Sequence, residues 1–475
     1  MHKPLTSALL SPLLSPLLSP LFAALLLAGC ASGPEFTPVA APAAPAAFKE
    51  LDGRPASTPA AAMQTNGTWW TVFADPVLDG LITRADADNT SIQQAAARLT
   101  QARALLRSAD AQRLPQVGAS AGASRGNLAT PGVTTPGTLQ SAGAAASWEP
   151  DLFGRLAQAS SAAALDAQSR EALLRSTRLV VQSDVAQTYF VLRALDDERA
   201  LVRETVAAYA DTLRLTERRY AAGDVAELDL ARVQTEVAAT QSQALALDRR
   251  RAQLEHALAV LLGSVPSSFT LAESPWRGAL PQVPAGIPST LLTRRPDVLA
   301  AQGAMLAAQT RVGVARAAWF PDLALTAGGG VASTDLGDLF KWSARSWGIG
   351  AVLNLPLFDG GRREAGVQSA NGVWDAAAAS YREQVLLAFQ DVEDQLAALR
   401  LLSAQAGAQT QAVDAATRAT VLSNTRYRNG LVSQLELLDA RRSELSNRRQ
   451  ALQVRAAQYA ATVGLIRALG GGWGG

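Results

Sequence analysis

The chain has 475 residues, with 43 Lys and Arg against 41 Asp and Glu for a net charge of +2, and that balance predicts no nucleic-acid partner. One Cys and two His cannot build a Cys/His metal cluster within one chain, and neither a Gly-rich phosphate loop nor a nucleophile elbow is present. Apolar residues make up 48% but aromatics only 5%, and much of the apolar share is alanine, which suits close helix–helix packing better than a thick globular core.

Residues 1–29 read as a targeting segment. Lys3 supplies positive charge, Leu21 to Leu27 an apolar core, and Leu27-Ala28-Gly29-Cys30 follows directly. Residues 31–65, rich in Ala and Pro, read as an extended tether. Ordered structure is predicted from Trp69-Trp70, with a helix from about Pro76 and another from Ser91 to Arg113 that Pro115 stops. Two small-residue segments, about 116–126 and 139–150, are predicted strands, with turn signals at Thr130-Pro131-Gly132 and Thr135-Pro136-Gly137 between them.

A helical pattern then runs from Arg155 to Tyr220 without proline or glycine, a rod of about 100 Å at 1.5 Å per residue. Val185, Tyr189, Leu192, Leu195, Val202, Val206, Tyr209 and Leu213 fall at spacings of three, four or seven, a coiled-coil-like seam. A tip centred on Gly223 leads into a returning helix that ends near Leu262. The five prolines of 264–294 predict irregular structure. Then the order repeats: a helix from Arg295 to Trp319, strands at about 322–332 and 345–357, a long helix to a tip at Gly430, and a last helix to Leu469. Pro115 and Pro321 lie 206 residues apart, as do Pro150 and Pro356; Tyr220 and Tyr427, Gly223 and Gly430, and Gly263 and Gly470 lie 207 apart. The chain is one duplication, too long in period for a solenoid.

The fourth strand segment alternates Trp347, Ile349, Ala351, Leu353, Leu355 and Leu357 against Ser346, Gly348, Gly350, Val352, Asn354 and Pro356. Segments of about 10 residues with this period have the size of transmembrane strands, and Trp148, Phe153, Trp319, Phe320, Trp342 and Phe358 cluster near segment ends as an aromatic girdle would. An ordinary soluble hairpin pair is the other reading of the same alternation. Four strands cannot close a barrel, which takes at least about eight, and an open edge in lipid leaves backbone groups without partners. Membrane-spanning strands would therefore be shared among several chains, giving a tube of helices beneath a tube of strands.

The chain resembles the outer membrane factor family of tripartite export systems, the TolC/OprM-like proteins, in its lipoprotein (NodT-type) branch. The likeness is carried by Trp69-Trp70 with Asp75-Pro76; Trp148 through Arg155; Ile287-Pro288-Ser289; Arg294-Arg295-Pro296-Asp297-Val298; Phe320-Pro321; Pro356 with Phe358 through Arg362; and Tyr427 through Arg442. Gln302 stands where the family pattern has Glu. The resemblance implies an α+β membrane protein: a homotrimeric channel-tunnel with four transmembrane strands per chain in a shared twelve-stranded barrel, continued by a helical periplasmic coiled-coil barrel. It implies residues 1–29 as lipoprotein signal peptide and 30–65 as lipidated tether. Two outer-membrane-factor repeats follow at 66–263 and 295–470, with an equatorial segment at 264–294 and a tail at 471–475. It implies no cofactor beyond diacylglycerol and N-acyl lipid on Cys30. The absence of Asp after Cys30 favours the outer membrane of a Gram-negative bacterium. The implied partners are a periplasmic adaptor protein, an inner-membrane pump and outer membrane lipid. Leu435, Asp439 and Arg442 match a periplasmic gate, and Gly223, Asp224, Val225, Gly430, Leu431 and Val432 match the adaptor-docking tips. Leu435 and Asp439 stand four apart on one helix face, and the first-repeat counterparts Leu228, Arg232 and Thr235 lack the acid.

The implied function is a passive conduit, not an enzyme. A structural periplasm-spanning lipoprotein without a pore is the competing expectation, and the loops at 127–138 and 333–344 could serve as surface receptors besides.

Overall fold

The computed structural model describes residues 42–51, 67–130, 133–276, 278–283, 288 and 291–471, with side chains described outside 127–136. Cys30, the signal segment, most of the tether and residues 472–475 lie outside the described residues.

Among the described residues, eight α-helices and four β-strands follow one another. They are α1 (Pro76–Asp88), α2 (Thr90–Ala111), β1 (Gln116–Thr130), β2 (Val133–Trp148), α3 (Arg155–Ala221), α4 (Glu227–Leu261), α5 (Leu291–Arg294), α6 (Pro296–Ala317), β3 (Asp322–Ser333), β4 (Arg345–Asn354), α7 (Arg362–Arg428) and α8 (Gln434–Ala468). The duplication is metric as well as topological: α3 and α7 each have 67 residues, and α4 and α8 each have 35. No described helix is long and apolar enough to cross a membrane. The chain divides into two compact units that cut across the repeats. One comprises Gln101–Ala167 and Gly303–Ala379, and the other the described residues of Ala41–Thr100, Gln168–Gln302 and Ser380–Gly475.

The first unit holds a single antiparallel sheet in the order β1-β2-β3-β4, so β1 and β4 are open edges. Its register sorts the side chains. One face carries Val117, Ala119, Ala121 and Ala123 on β1; Ala142, Ala144, Ala146 and Trp148 on β2; Leu323, Leu325, Ala327 and Val331 on β3; and Trp347, Ile349, Ala351 and Leu353 on β4. The opposite face carries Ser120, Ser124, Ser141, Ser147, Asp322, Thr326, Ser346 and Asn354, with glycines between them. Thus one face is mainly apolar, broken towards the hairpin loops by Arg125, Gln140, Ser333 and Arg345, and the other is mainly small and polar, with the larger apolar side chains of Leu139 and Val352 on it.

Strand lengths depart from the sequence reading. β2 begins at Val133, six residues before the predicted start, and takes in the second turn signal: Pro136 sits opposite Asn127. A proline is tolerated there because β3 pairs with β2 only as far as Gln140, so β2 is an edge strand beyond that point. β4 stops at Asn354 rather than 357, since its partner Asp322 is the first residue of β3 and the ladder runs out. The girdle aromatics Trp148, Trp319, Phe320, Trp342 and Phe358 are exposed, and Phe153 stacks on Phe320 with ring centroids 4.9 Å apart.

The second unit is helical, and its core follows the predicted seam. Val185, Tyr189, Leu192, Leu195, Val202 and Tyr209 are buried, with Val206 and Leu213 packed against them. An aromatic cluster of Trp69, Trp70, Phe73, Phe190, Trp276 and Tyr459 closes around α1 and the middle of α3. Asp75 joins the two: one carboxylate oxygen caps α1 by accepting from the Val77 and Leu78 amides at 3.0 and 3.2 Å, while the other accepts from the Tyr189 hydroxyl at 2.6 Å. Burial, reinforced by that carboxylate, pushes the Tyr189 phenol up to about 12.

Two polar clamps tie sequence-distant segments to the helices. The buried Arg295 guanidinium donates to both carboxylate oxygens of Asp297 (3.1 and 2.7 Å), to Asp391 (2.9 Å) and to the Ala388 and Ala468 carbonyls. It thereby holds the start of α6 to the middle of α7 and the end of α8. Near the N-terminus, the Glu393 carboxylate accepts from the Lys49 and Glu50 amides at 2.7 and 3.0 Å, and Arg400 donates to Glu50 at 2.6 Å. Phe48 is buried beside them among Leu291, Val392, Leu396 and Leu465.

Four helices of the second unit end in the same way. At Gly223, Gly263, Gly430 and Gly470 the backbone turns left-handed, with φ of 77°, 64°, 69° and 91°. In each case the glycine amide and the next one reach back to helix carbonyls, as in the Asp224–Arg219 and Leu431–Arg426 bonds of 2.8 and 2.9 Å. The surroundings differ. A Cβ on Gly223 meets no heavy atom within 4 Å, whereas one on Gly263 runs into the backbone carbonyl of Asp88, whose carbon is at 2.8 Å. Gly223→Ala is therefore expected to cost only the left-handed strain, about 1 kcal/mol. Gly263→Ala must also displace backbone, and its apparent melting temperature should fall several degrees below that of Gly223→Ala. Equal melting in a thermal scan of the two variants would contradict this packing.

Candidate functional site

The two tips lie in the second unit and are linked side by side. The Arg219 guanidinium donates to the Tyr427 hydroxyl at 3.2 Å, the Gln434 amide to the Thr216 hydroxyl at 2.8 Å, and Arg441 to the Thr212 hydroxyl at 2.9 Å. The start of α8 is thus seated on the end of α3. Helical spacing decides which residues meet: Gln434, Leu437 and Leu438 are buried, with Leu438 joining Tyr209 and Val233 in a small core. Leu435, Asp439 and Arg442 then fall together on an adjoining, exposed side of α8, as three- and four-residue steps require. Leu435 is 40% exposed, and the Asp439 and Arg442 side chains are 58% and 60% exposed.

Arg442 stands between two carboxylates. It lies 3.7 Å from Asp439, one turn back on α8, and makes its closer bond to Glu236 on α4. The hydrogen bond to Glu236 holds the guanidinium firmly protonated, raising its pKa above the ordinary arginine value, with Asp439 adding to the same effect. Tyr209 is buried nearby, its hydroxyl unpartnered, and burial with the Glu236 charge pushes its phenol up. At the corresponding place of the first repeat, Leu228 is exposed, Arg232 lies 3.7 Å from Asp229, and the Thr235 hydroxyl returns to the Ala231 carbonyl. No carboxylate occupies the position that matches Asp439.

Glu236 is the participant that sequence reading missed. It pairs with a residue 206 positions away, on the other hairpin, and nothing local to α4 marks it. The tip residues themselves divide by exposure. Gly223, Asp224, Gly430 and Leu431 are exposed, while Val225 and Val432 are half-buried. Leu431, at 67%, is the large apolar side chain offered at the second tip, where the first offers the Asp224 carboxylate. The N-caps differ too: Ser433 accepts from the Glu436 amide with its side chain, and Ala226 has none to offer. Among the described residues no group of His, Cys, Asp and Glu is placed to hold a metal ion.

Comparison with known proteins matches the chain in two stretches. The family described as "Outer membrane efflux protein" matches residues 81–264 and 287–471. The chain is 35% identical over 410 residues to the solvent efflux pump outer membrane protein SrpC of Pseudomonas putida, covering 84% of this chain and 86% of that one. It is 33% identical over 412 residues to the cation efflux system protein CusC of Escherichia coli, covering 86% and 89%. Among solved structures, the outer-membrane channel OprN superposes with a TM-score of 0.85 at 30% identity, over 94% of this chain and all of that one. The open state of the Neisseria gonorrhoeae MtrE outer membrane channel gives 0.81 at 28% identity, over 94% and 99%. The fold is thus shared, nearly end to end, with outer-membrane channels: this chain belongs to the outer membrane efflux protein family and is an outer-membrane transport protein, not an enzyme.

Proposed function

We propose that three copies of this chain close their four-stranded sheets edge to edge into one outer-membrane barrel, continued through the periplasm by a tunnel of their helices. The observation that carries this is the sheet itself: one mainly apolar face, with its charges confined to the hairpin-loop end, beside a mainly small and polar one, ending in two unpaired edges. In lipid such edges must find partners, and β1 of one copy beside β4 of the next supplies them. The polar face then lines a water-filled lumen. Cys30 carries the acyl lipid. An inner-membrane pump supplies the energy, and a periplasmic adaptor docks on Gly223, Asp224, Val225, Gly430, Leu431 and Val432. Leu435, Asp439 and Arg442 narrow the periplasmic end, each repeated as a ring by threefold symmetry.

The duct does not choose its cargo. Relatives of nearly equal likeness carry names as different as solvent, cation and antibiotic efflux, at 35%, 33% and 33% identity. Purified protein in planar bilayers should give discrete, ohmic channel steps. A deletion strain should retain toxic solutes and regain resistance on complementation. A protein that inserts but never conducts, in a deletion strain of unchanged susceptibility, would leave the structural spacer as the better reading.

A further inference from the structure

We propose that Arg345, stacked on Trp342 at the outer rim of the sheet, binds the phosphate of a membrane lipid. Register places Arg345 opposite Val331, on the apolar face that continues through Trp347, Ile349 and Leu353. Across that face on all four strands, Arg125 and Arg345 are the charged residues among those described, and both stand at the hairpin-loop end. That end is the exterior one, since the other joins the helices. Neither arginine has a carboxylate partner among the described residues; the Arg345 guanidinium instead lies 4.8 Å from the centre of the Trp342 ring. Lys341 differs, being paired with Asp338.

The connecting segment is built, not slack. The Asp335 carboxylate accepts from the Gly337 amide at 2.9 Å, and the Lys341 and Ala344 amides return to Asp338 and Lys341 carbonyls at 3.0 and 3.1 Å. Leu339 is tucked in, yet this fixed segment presents Leu336, Phe340 and Trp342 to the outside at 66%, 75% and 81% exposure. In water that costs hydrophobic free energy. At a bilayer interface the same aromatics are anchors, and a cation above them meets the headgroups. A phosphorylated lipid satisfies both halves at once, its acyl chains along Trp347 and Ile349 and its phosphate at Arg345. A soluble anion would use the arginine and leave the apolar strip uncovered.

The test uses the full-length protein in detergent, with ligand retention read by native mass spectrometry. The probes are lipid A bearing both phosphates, the same lipid dephosphorylated, and inorganic phosphate. The phosphorylated lipid should bind the wild type about tenfold more tightly than it binds Arg345→Glu, the scale of one charge-assisted contact. Arg345→Lys should retain most of the affinity, and lipid-free melting of each variant guards against misfolding. Dephosphorylated lipid should lose the same factor on the wild type, and millimolar inorganic phosphate should not compete. Equal retention by Arg345→Glu, indifference to the phosphates, or competition by inorganic phosphate would each overturn the assignment. Wild-type protein that conducts in bilayers yet ignores the phosphates would sink this inference and leave the channel reading standing.

Discussion

Replacing Arg295 with methionine is expected to destabilise the helical unit by about 3 kcal/mol, the lower end for removing one partner of a buried ion pair. Methionine keeps most of the aliphatic stem, so the loss is of charge and hydrogen bonds rather than volume. The side chain is 8% exposed and its partners come from three elements, so no water can replace it at Asp297 and two carbonyls together. Asp297 is 27% exposed and Asp391 43%, which lets solvent recover part of the cost and keeps the figure low in its range. Asp391→Asn should cost distinctly less for that reason. Burial alone would push the Asp297 carboxyl up; Arg295 more than offsets it and leaves the carboxyl below the ordinary range. A depressed carboxylate stabilises at neutral pH, and that contribution is lost as pH falls below about 4. The wild type should therefore lose melting temperature on acidification through that window, and Arg295→Met should lose less of it. Apparent melting followed by tryptophan fluorescence reads both effects. A variant melting within a degree of the wild type would show the clamp to be incidental.

Arg442→Ala is expected to raise the conductance of the closed channel substantially in planar bilayers. An exposed ion pair contributes about 0.2–1 kcal/mol. Threefold symmetry makes three of them, so up to about 3 kcal/mol bears on the closed state and the open population can rise up to about a hundredfold. Because Arg442 bonds more closely to Glu236 than to Asp439, Glu236→Gln should open the channel more than Asp439→Ala does. That order separates two accounts of the same motif. If the Asp439–Arg442 pair alone held the gate, Asp439→Ala would match Arg442→Ala and Glu236→Gln would be silent. Closed-state conductance unchanged in both Arg442→Ala and Glu236→Gln would remove these residues from the gate altogether.

Much of this architecture could be read in advance because its landmarks are glycines and prolines. Gly223, Gly263, Gly430 and Gly470 are required by a left-handed backbone, and their near-constant spacing exposed the duplication before any contact was known. The seam on α3 was legible because large apolar side chains keep helical period. Strand extent was not. Over half of β1 and half of β2 are Ala, Gly and Ser, whose hydropathies differ too little to reveal alternation, and pairing with β3 assigns their faces. The candidate gate shows the same division. Leu435, Asp439 and Arg442 stand out by their motif on α8, whereas Glu236 becomes visible only when the two hairpins are laid together.

The grip of Glu393 on the Lys49 and Glu50 amides also has a mechanical side. If Cys30 carries the proposed acyl lipid, the 18 residues from it to Phe48 can span at most about 65 Å. A tug on the membrane anchor does not reach the helices at a free end. It is delivered near the middle of the 67-residue α7, through two parallel N–H bonds and a buried phenylalanine that must slip together. On the proposal that Cys30 is acylated, the lipid is a mooring line made fast amidships on α7, resisting withdrawal of the channel from the membrane.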